Sequence, residues 1–408
     1  MSEWHKTLLG KIVEITNGYA FKSINFSNVF SEGSLPVVKI RNVANGDVNL
    51  DNVQYHKTDK KLSKYISVKG DILIAMTGNH PQALTQVVGA VSKQKINQQL
   101  YINQRVAKIS SLPTLSIDDF IYYYLKDESV HEYLANQSSG SANQANISKS
   151  DIENLELFIP CVQEQKAIAS VLSSLDDKID LLHRQNKTLE SMAETLFRQW
   201  FVEEVQDDWE EVKVSHFVTL NKSSITKKYD HQSILYLDTS SLTKGYISEL
   251  KPLILSEAPS RAKRLVQHLD ILISTVRPDQ CHYGFCFKPE ANLVVSTGFC
   301  TITCDTITPY FVYYLLTSED MTEYLHSIAE GSTSTYPSLK PEDIGNVSFA
   351  LPPKEKLNDY HNVVGAMWNK INQNQKQIQT LENLRDTLLP KLMSGEVRVN
   401  YTPEEIKQ

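Results

Sequence analysis

The chain has 408 residues, of which 41% are hydrophobic and 22% charged, and this length and composition predict a folded protein of two or three domains. A formal net charge of -7 is atypical of a protein that binds nucleic acid through an overall basic surface. The first twenty residues lack the pattern of a signal peptide, and no apolar run reaches the roughly 18 residues of a membrane span. Five cysteines, an odd number, argue against a secreted disulfide framework. We therefore expect a cytoplasmic protein without membrane contact.

The two halves of the chain form an internal sequence repeat. The matched segments are "GDILIAMTG" (70–78) with "LDILISTVR" (269–277), "IYYYLKDESVHEYL" (121–134) with "VYYLLTSEDMTEYL" (312–325), and "SDIENLELFIP" (150–160) with "EDIGNVSFALP" (342–352). The spacing is 192 residues between Pro160 and Pro352 and keeps this value along the segments that follow, but it is 199 between Asp71 and Asp270. Each half therefore combines a module of variable length with a following segment of constant length.

Four segments are predicted: a first globular module (1–160), a first helical spacer (161–205), a second module (206–352), and a second spacer with a C-terminal tail (353–408). The first module has 16 lysine and arginine residues against 15 aspartate and glutamate, whereas the second has 12 against 18. If the protein holds a polyanion, we expect another subunit to supply part of the positive charge.

Both modules are predicted to be α+β. Short β-branched runs bounded by Gly, Asn or Pro predict strands, among them "LPVVKIRNV", "DILIAM", "RVAKIS", "DILISTV" and "FCTITC". After the strands, each module has a short tyrosine-rich helix, "SIDDFIYYYLKDESVHEYL" or "TPYFVYYLLTSEDMTEYLHSI", and then a small polar loop.

The two spacers have the pattern of coiled-coil helices. Apolar residues recur at alternating three- and four-residue steps over roughly 35 to 40 residues, each run begins just after a proline, and Gly395 is placed to end the second. A single helix of this kind is usually an ordinary core-facing helix, but two of equal length favour packing on each other, with Asn186 and Asn374 fixing the register. The predicted packing positions are Leu175, Ile179, Leu182, Leu189, Leu196, Trp200, Ile371, Ile378, Leu381 and Leu388.

No catalytic motif is present. The sequence lacks a phosphate-binding GxxxxGK[ST] loop, a zinc-protease helix and a glycine-rich dinucleotide turn. Cys281, Cys286, Cys300 and Cys304 could form a metal site, but Cys300 and Cys304 alternate within a predicted strand, which favours small core residues. We predict a non-catalytic protein without a bound metal.

Polar loops of the first module supply candidates for reading DNA bases. Asn and Gln pair with adenine, and Arg and Lys pair with guanine; the alternative for any one loop is a solvated turn. The candidates are Lys39, Arg41, Asn42, Thr77, Asn79, His80, Gln82, Asn103, Gln104, Arg105, Ser141, Asn143, Gln144 and Asn146.

The second module supplies a cationic cluster and two loops. "SRAKR" is suited to phosphate contacts, which position a protein on DNA without specifying sequence; the alternative is a solvated charge run. By the repeat, Arg277 takes the place of Gly78, and a later polar loop takes the place of the earlier one. The candidates are Ser260, Arg261, Lys263, Arg264, Thr275, Arg277, Thr333, Ser334 and Tyr336.

The whole chain resembles the specificity subunits of type I restriction-modification systems. The segments that carry the resemblance are "GDILIA" (70–75), "PSRAKRLVQHLDILISTVRP" (259–278), "IPCVQEQKAIASVLSSLDDKI" (159–179) and "LENLRDTLLPKLMSGEV" (381–397). The resemblance implies two target-recognition domains, each followed by a long helix, with the two helices packed as an antiparallel coiled coil of pseudo-two-fold symmetry. It implies that each domain reads one half of a split site in double-stranded DNA.

The resemblance also implies partners. Two methyltransferase subunits would flip out adenine and methylate it with S-adenosylmethionine, while this chain holds no cofactor. Where a restriction subunit is present, that partner would use ATP and Mg²⁺. Two features depart from the family's pattern: the acidic second module, and Arg385 at an apolar position of the second spacer, which favours a partner-facing side. A coiled-coil adaptor that binds proteins and a zinc enzyme centred on the cysteines stay open as alternatives.

Overall fold

The computed structural model describes residues 3–43, 46–78, 87–137, 145–332 and 336–400. The chain divides into two compact units: a first unit of Met1–Asp180 with Gln379–Gln408, and a second unit of Leu181–Ile378. The divisions fall inside the two long helices, so each unit contains one module and a segment of each helix. The four-segment domain boundaries given above stay a prediction.

The first module combines twelve strands with three helices in its described part. The strands are β1 (His5–Leu8), β2 (Val13–Asn17), β3 (Ser34–Val38), β4 (Gln54–Lys57), β5 (Ile66–Ser67), β6 (Ile72–Ala75), β7 (Thr77–Gly78), β8 (Val91–Lys93), β9 (Leu100–Ile102), β10 (Val106–Ser111), β11 (Ala145–Asn146) and β12 (Glu156–Ile159). The helices are α1 (Asp118–Lys126), α2 (Glu128–Gln137) and α3 (Lys149–Glu153), and short 3₁₀ helices include Ile40–Asn42 and Lys60–Tyr65. The first long helix, α4 (Val162–Arg198), follows and ends in a π-helical turn, Gln199–Glu203.

The second module has a similar order of elements, with eleven described strands before its first helix where the first module has ten. Its strands are β13 (Glu211–Lys213), β14 (Val218–Leu220), β15 (Ser233–Leu237), β16 (Leu242–Thr243), β17 (Tyr246–Ile247), β18 (Lys251–Ile254), β19 (Ala262–Leu265), β20 (Ile271–Ser274), β21 (Tyr283–Phe285), β22 (Leu293–Ser296), β23 (Phe299–Cys304) and β24 (Ser348–Ala350). Its helices are α5 (Pro309–Thr317), α6 (Glu319–Glu330) and α7 (Pro341–Gly345), and the second long helix, α8 (Lys354–Met393), follows.

The sheets confirm the internal repeat. The first module has two four-stranded sheets, ordered β2-β10-β6-β8 and β4-β3-β9-β5, and the second has β14-β23-β20-β21 and β18-β15-β22-β19 in the corresponding places. In each module one strand pair is parallel, β3 with β9 and β15 with β22. A small pair, β1 with β12 and β13 with β24, closes each module just before its long helix. The α+β fold class is therefore confirmed.

The "DILI" motif forms a strand that is buried on both faces. All four residues of β6 are fully buried; Ile72 and Ile74 pack in one hydrophobic cluster, while Leu73 and Ala75 pack in another. In the second module, Ile271 likewise lies in one cluster and the adjacent residue in a second. This double burial explains why the motif is a continuous apolar run rather than an alternating one.

The short helix predicted in each module is in fact two helices. Asp127 has extended backbone angles between α1 and α2, and its carboxylate accepts a hydrogen bond from the Ser129 backbone N–H at 3.0 Å. Ser318 has the same role between α5 and α6, where its hydroxyl accepts from the Met321 N–H at 3.3 Å. The prediction of one helix was wrong because these side chains cap a new helix start.

The two long helices have the predicted lengths and are antiparallel within each unit. They contain 37 and 40 residues, and Gly395, with a φ of 76°, follows the end of the second. All ten predicted packing positions are buried or half-buried. In the second unit the Tyr360 hydroxyl donates to the Ala193 carbonyl, and the Asn374 amide donates to Asn186 Oδ1 at 2.8 Å. As the position on α4 decreases, its partner on α8 increases, which is the antiparallel order.

In the first unit the same order holds. Asp176 pairs with Arg385 at 2.9 Å, and Glu164 pairs with Arg398, whose Nη2 lies 2.8 Å from the carboxylate. Within the described ranges, no helix combines the length and apolar character that a membrane crossing needs.

The partner-facing interpretation of Arg385 is wrong. Its side chain is only 17% exposed, and its guanidinium binds Asp176, which also accepts from the Tyr123 hydroxyl at 2.8 Å and lies 3.5 Å from Lys126 Nζ. An arginine at an apolar packing position is tolerated here because a half-buried carboxylate on the facing helix pairs with it.

We predict that Asn374→Leu lowers the free energy of unfolding by about 1–3 kcal/mol, because the buried Asn186 amide loses its partner. The double variant Asn186→Leu/Asn374→Leu should regain most of that stability, since it removes both polar groups. Chemical denaturation followed by circular dichroism measures this, with the exposed neighbour Gln375→Ala as the control. Equal loss in the single and double variants would contradict the pairing.

We predict that Asp176 makes the stability of the first unit depend on acidic pH. Burial alone would raise the pKa of Asp176, but Lys126, Arg385 and the Tyr123 hydroxyl lower it below its ordinary value of 3.8. Because the folded-state pKa is the lower one, the stabilisation is complete above about pH 4 and is lost as the pH falls through the lowered value.

Asp176→Asn should therefore cost about 1–3 kcal/mol at neutral pH and flatten the acid side of the stability profile. Urea denaturation between neutral pH and about pH 3 tests this. The adjacent exposed residue provides the control, Asp177→Asn, which should keep the parent profile. A parent profile that is already flat in this range would contradict the prediction.

Candidate nucleic-acid interface

Backbone hydrogen bonds bring the predicted loops of the first module to one edge. The Asn103 N–H donates to the Val38 carbonyl at 3.0 Å, the Met76 N–H donates to the Arg105 carbonyl at 2.9 Å, and the Ile147 N–H donates to the Met76 carbonyl at 3.0 Å. These links place four loop segments side by side. We call this surface the first edge: Tyr19, Lys39–Asn42, Thr77–Gly78, Asn103–Arg105 and Asn146.

Four predicted side chains of the first edge are exposed. They are Arg41, Gln104, Arg105 and Asn146. Thr77 is buried, and its hydroxyl donates to Asn146 Oδ1 at 2.7 Å, which orients the exposed amide. The edge therefore offers the guanidinium and amide groups that can hydrogen-bond to base edges.

Lys39 is positioned by neighbours that the sequence did not indicate. Its ammonium donates to Gln54 Oε1 at 2.7 Å and lies 4.8 Å from the centre of the Phe26 ring. Burial and the nearby charge of Arg41 lower the pKa of Lys39. Gln54 itself donates to Asn28 at 3.0 Å, so this lysine belongs to a hydrogen-bonded chain rather than to a mobile surface.

The prediction that Asn42 reads a base is wrong. Its side chain is fully buried; Oδ1 accepts from the Lys39 N–H, and Nδ2 donates to Asn49 and to the Asp51 carbonyl. Because both ends of the amide are used, Asn42 fixes the shape of the loop. Asn103 contributes to the edge mainly through its backbone, since the residue is only 8% exposed.

Some candidates cannot be placed. The following lie outside the described residues: Asn79, His80, Gln82, Ser141, Asn143, Gln144, Thr333 and Ser334. Their assignment stays a prediction.

Tyr19 is an edge residue that sequence reasoning missed. It pairs with Asn103 through a β-bridge, its N–H donates to the Ile102 carbonyl at 2.9 Å, and it is 38% exposed. The residue before it must be small, because a Cβ at Gly18 would lie 2.1 Å from the Asn103 carbonyl oxygen. The Asn-Gly pair that follows the β-branched run "IVEIT" was the available signal.

The second module builds an edge in the same way. The Thr275 N–H donates to the Gly298 carbonyl at 2.8 Å, and the Leu339 N–H donates to the Thr275 carbonyl at 2.7 Å. These bonds correspond to those of Met76 in the first module. We call this surface the second edge: Asp238, Arg261, Thr275–Arg277, Thr297–Gly298 and Tyr336–Ser338.

Arg277 is held in a defined position on the second edge. Its backbone is left-handed, with a φ of 49°, and its N–H donates to the Pro337 carbonyl at 3.0 Å. The exposed guanidinium lies 4.6 Å from the centre of the Tyr336 ring, which is itself 54% exposed. The side chain is therefore ordered by a cation–π contact before any ligand is bound.

The predicted cationic cluster is divided by the structure. Arg261 lies at the second edge, where its carbonyl accepts from the Thr297 N–H and its Nε is 3.9 Å from the Asp238 carboxylate. Arg264 instead donates to the Ser224 hydroxyl at 3.3 Å. The exposed residues Ser260 and Lys263 lie on the same segment.

Asp238 gives the second edge a negative group where the first edge has Lys39. Each of these residues precedes a 3₁₀ helix that follows the corresponding strand. Burial alone would raise the pKa of Asp238, but hydrogen bonds from Tyr236 and the Ser240 N–H, with the charge of Arg261, lower it. The group is therefore ionised at neutral pH, and the two edges differ in charge at the same position.

The four clustered cysteines do not converge on one site. Cys281 is in a turn, Cys286 and Cys300 belong to two different hydrophobic clusters, and Cys304 packs beside the second. Burial raises the pKa of the Cys300 thiol to about 12. In the part of the chain that the structure describes, no group of three or more His, Cys, Asp or Glu side chains could hold a metal ion.

Comparison with known proteins agrees with this architecture. A family profile described as "Type I restriction modification DNA specificity domain" matches residues 1–191. The type I restriction enzyme MjaIX specificity subunit of Methanocaldococcus jannaschii is 27% identical over 98% of this chain and 97% of its own length. The EcoKI specificity subunit of Escherichia coli K12 is 21% identical over 98% of this chain and 90% of its own length.

A solved structure has the same fold. The type I restriction-modification S subunit from M. genitalium matches with a TM-score of 0.60 and 18% identity, covering 98% of this chain and 97% of that one. Residues 1–191 thus match the profile of the type I restriction-modification DNA specificity domain, and the whole chain is similar in sequence to type I specificity subunits.

Proposed function

We propose that this chain is the DNA-reading specificity subunit of a type I restriction-modification complex, with each module reading one half of a bipartite site. The observation that carries the proposal is the duplicated edge. The same backbone hydrogen bonds, at Met76 and at Thr275, gather polar loops in both modules. Exposed arginine and amide groups on such loops are suited to direct readout of bases.

We infer that the two half-sites differ in sequence. The edges share a backbone frame, but Lys39 corresponds to Asp238, and Gly78 corresponds to Arg277. An arginine favours guanine, whereas a glycine at the same place offers no side chain to a base. The substitution of a negative group for a positive one changes which base edges can be accepted.

The chemistry is proposed to reside in partners. Two methyltransferase subunits would use S-adenosylmethionine to methylate an extruded adenine, and a restriction subunit, where present, would use ATP and Mg²⁺. This chain would be non-catalytic and without a cofactor of its own. The duplicated modules and helices would provide two similar binding surfaces for two identical subunits. Because the second module is acidic, positive charge on those partners would help the complex to hold DNA.

We predict that exchanging residues 1–160 for the first module of another specificity subunit changes one half-site only. The reason is that each edge is built within a single module. Single-molecule methylation mapping, in cells that make this chain with its methyltransferase, measures the motif. The reciprocal exchange of residues 206–352 serves as the matched control and should change the other half.

Some outcomes of the module exchange would contradict the prediction. A change in both half-sites, or in neither, would show that the modules do not read independently. A motif that survives deletion of the chain would contradict DNA reading altogether and favour the protein-binding adaptor.

We predict that Arg277→Ala weakens specific binding by about 1–3 kcal/mol, roughly 5- to 150-fold, and relaxes one position of the second half-site. Tyr336→Leu should weaken binding less and keep the same base preference, because it removes only the ring that orders the guanidinium. Competition binding with duplexes mutated at single positions measures both effects.

Arg41→Ala, on the first edge, is the matched control because its effect should be confined to the first half-site. If Arg277→Ala weakened binding equally for every sequence, Arg277 would be a phosphate contact and not a base reader.

A further inference from the structure

The first module carries a row of lysines that no motif of the sequence singled out. They lie on the 3₁₀ helix Lys60–Tyr65, "KKLSKY". We propose that Lys60, Lys61 and Lys64 bind phosphates of the DNA backbone beside the first edge; this inference rests on the proposed function.

The 3₁₀ geometry sorts this segment into an apolar and a cationic side. With three residues per turn, residues three apart lie above one another, which pairs Leu62 with Tyr65 and Lys61 with Lys64. Leu62 is 7% exposed and packs with Phe21 and Tyr101, whereas all three lysines are exposed. The buried leucine therefore fixes the helix and turns the lysines outward.

The helix start is also fixed. Asp59 caps it by accepting from the Lys61 N–H at 2.8 Å, and the Asp59 N–H donates to the Tyr101 hydroxyl at 3.1 Å. The carboxylate nearest to the lysines in sequence is thus engaged with the backbone of the helix.

A short line of aromatic contacts connects the lysines to the first edge. Lys64 Nζ lies 4.8 Å from the centre of the Tyr65 ring, and the Tyr65 and Tyr19 rings are 5.1 Å apart. Tyr19 pairs with Asn103 on the edge. A duplex whose bases face the edge would therefore pass its backbone close to these ammonium groups.

These lysines also differ from others in the module. Among the described residues, Lys60, Lys61 and Lys64 take part in no ion pair, whereas Lys93 and Lys108 each pair with an aspartate. Cations without a carboxylate partner are available for phosphate, and binding phosphate releases counterions from the DNA.

The repeat supports the assignment independently. Lys64 and Lys263 are 199 residues apart, the same offset that relates Asp71 to Asp270. Strand pairing agrees: β5, which follows the lysine row, and β19, which contains Lys263, border the corresponding strands β9 and β22. The cationic cluster predicted in the second module therefore has its counterpart in this lysine row.

The test is the salt dependence of DNA binding by the full chain in complex with its methyltransferase. Fluorescence anisotropy with a duplex carrying the mapped motif gives the slope of log affinity against log salt. The triple variant Lys60→Ala/Lys61→Ala/Lys64→Ala should reduce the slope by about 0.9 per lost contact, about 2.7 in total. Raising NaCl from about 50 to about 200 mM should then weaken the variant about 40-fold less than the parent.

Two controls isolate the charge effect. Replacing the three lysines by arginine should keep the parent slope, because the positive charges stay. The second control is Lys11→Ala, which removes an exposed lysine from the 3₁₀ helix Leu9–Lys11. This helix precedes the start of β2, whereas the first edge follows the end of β2. Lys11→Ala should therefore also keep the parent slope. The methylated motif should be the same in every variant, since phosphate contacts carry no sequence information.

A slope left unchanged by the alanine variant would overturn the proposal, and so would an altered motif, which would make the lysines base readers. Loss of complex assembly in the alanine variant would overturn it too and would assign the row to a protein partner instead. A parent complex that methylates no defined motif would contradict the proposed function. A parent complex that methylates a defined motif, with a salt slope that the alanine variant leaves unchanged, would contradict only the phosphate contacts of the three lysines.

Discussion

The hydrogen bond between the buried amides of Asn186 and Asn374 is the constraint on which helix pairing depends. Any slip of one helix along the other would place an amide against an apolar side chain and leave it unsatisfied. The repeat offset of 192 residues relates Asn186 to Ile378 and Leu182 to Asn374, and both apolar counterparts are buried. A helix α4 packed on a second α4 would therefore set Asn186 against Leu182, so the amide pair selects unlike helices as well as their register.

A second polar contact between the helices also differs between the two units. The ion pair of Asp176 with Arg385 in the first unit corresponds, by the same offset, to Trp368 and Ala193 in the second. There, Trp368 packs against the rings of Phe285 and Tyr313, and the Ala193 carbonyl accepts from the Tyr360 hydroxyl. At this repeat position, an ion pair joins the helices in the first unit and aromatic packing takes its place in the second. Acid acts on the ion pair through the Asp176 carboxylate, whereas Trp368 and Ala193 carry no titratable group.

Sequence reasoning succeeded where a local pattern determines the structure. Heptad spacing and the prolines located the long helices, and β-branched runs located the central strands, because both signals are local in sequence. It failed at Asp127, where a single capping side chain divides a helix, and at Asn42. The burial of Asn42 depends on Asn49 and Asp51, whose approach is set by the folded loop and leaves no mark in composition. Lys39 could be identified as a polar residue after a strand, but its contact with Gln54 could not.

The repeat register was more informative about the edges than loop composition. It related Arg277 to Gly78, and the backbone hydrogen bonds of Thr275 and Met76 confirm that these residues follow equivalent positions. Because the frame of each edge is made by backbone groups, its exposed side chains can change without loss of the bonds that shape it. The helix contacts have no such freedom, since each buried polar group there needs a particular partner. This separation lets the exposed edge residues vary while the chain keeps one fold, which is the property a subunit that specifies DNA sequence requires.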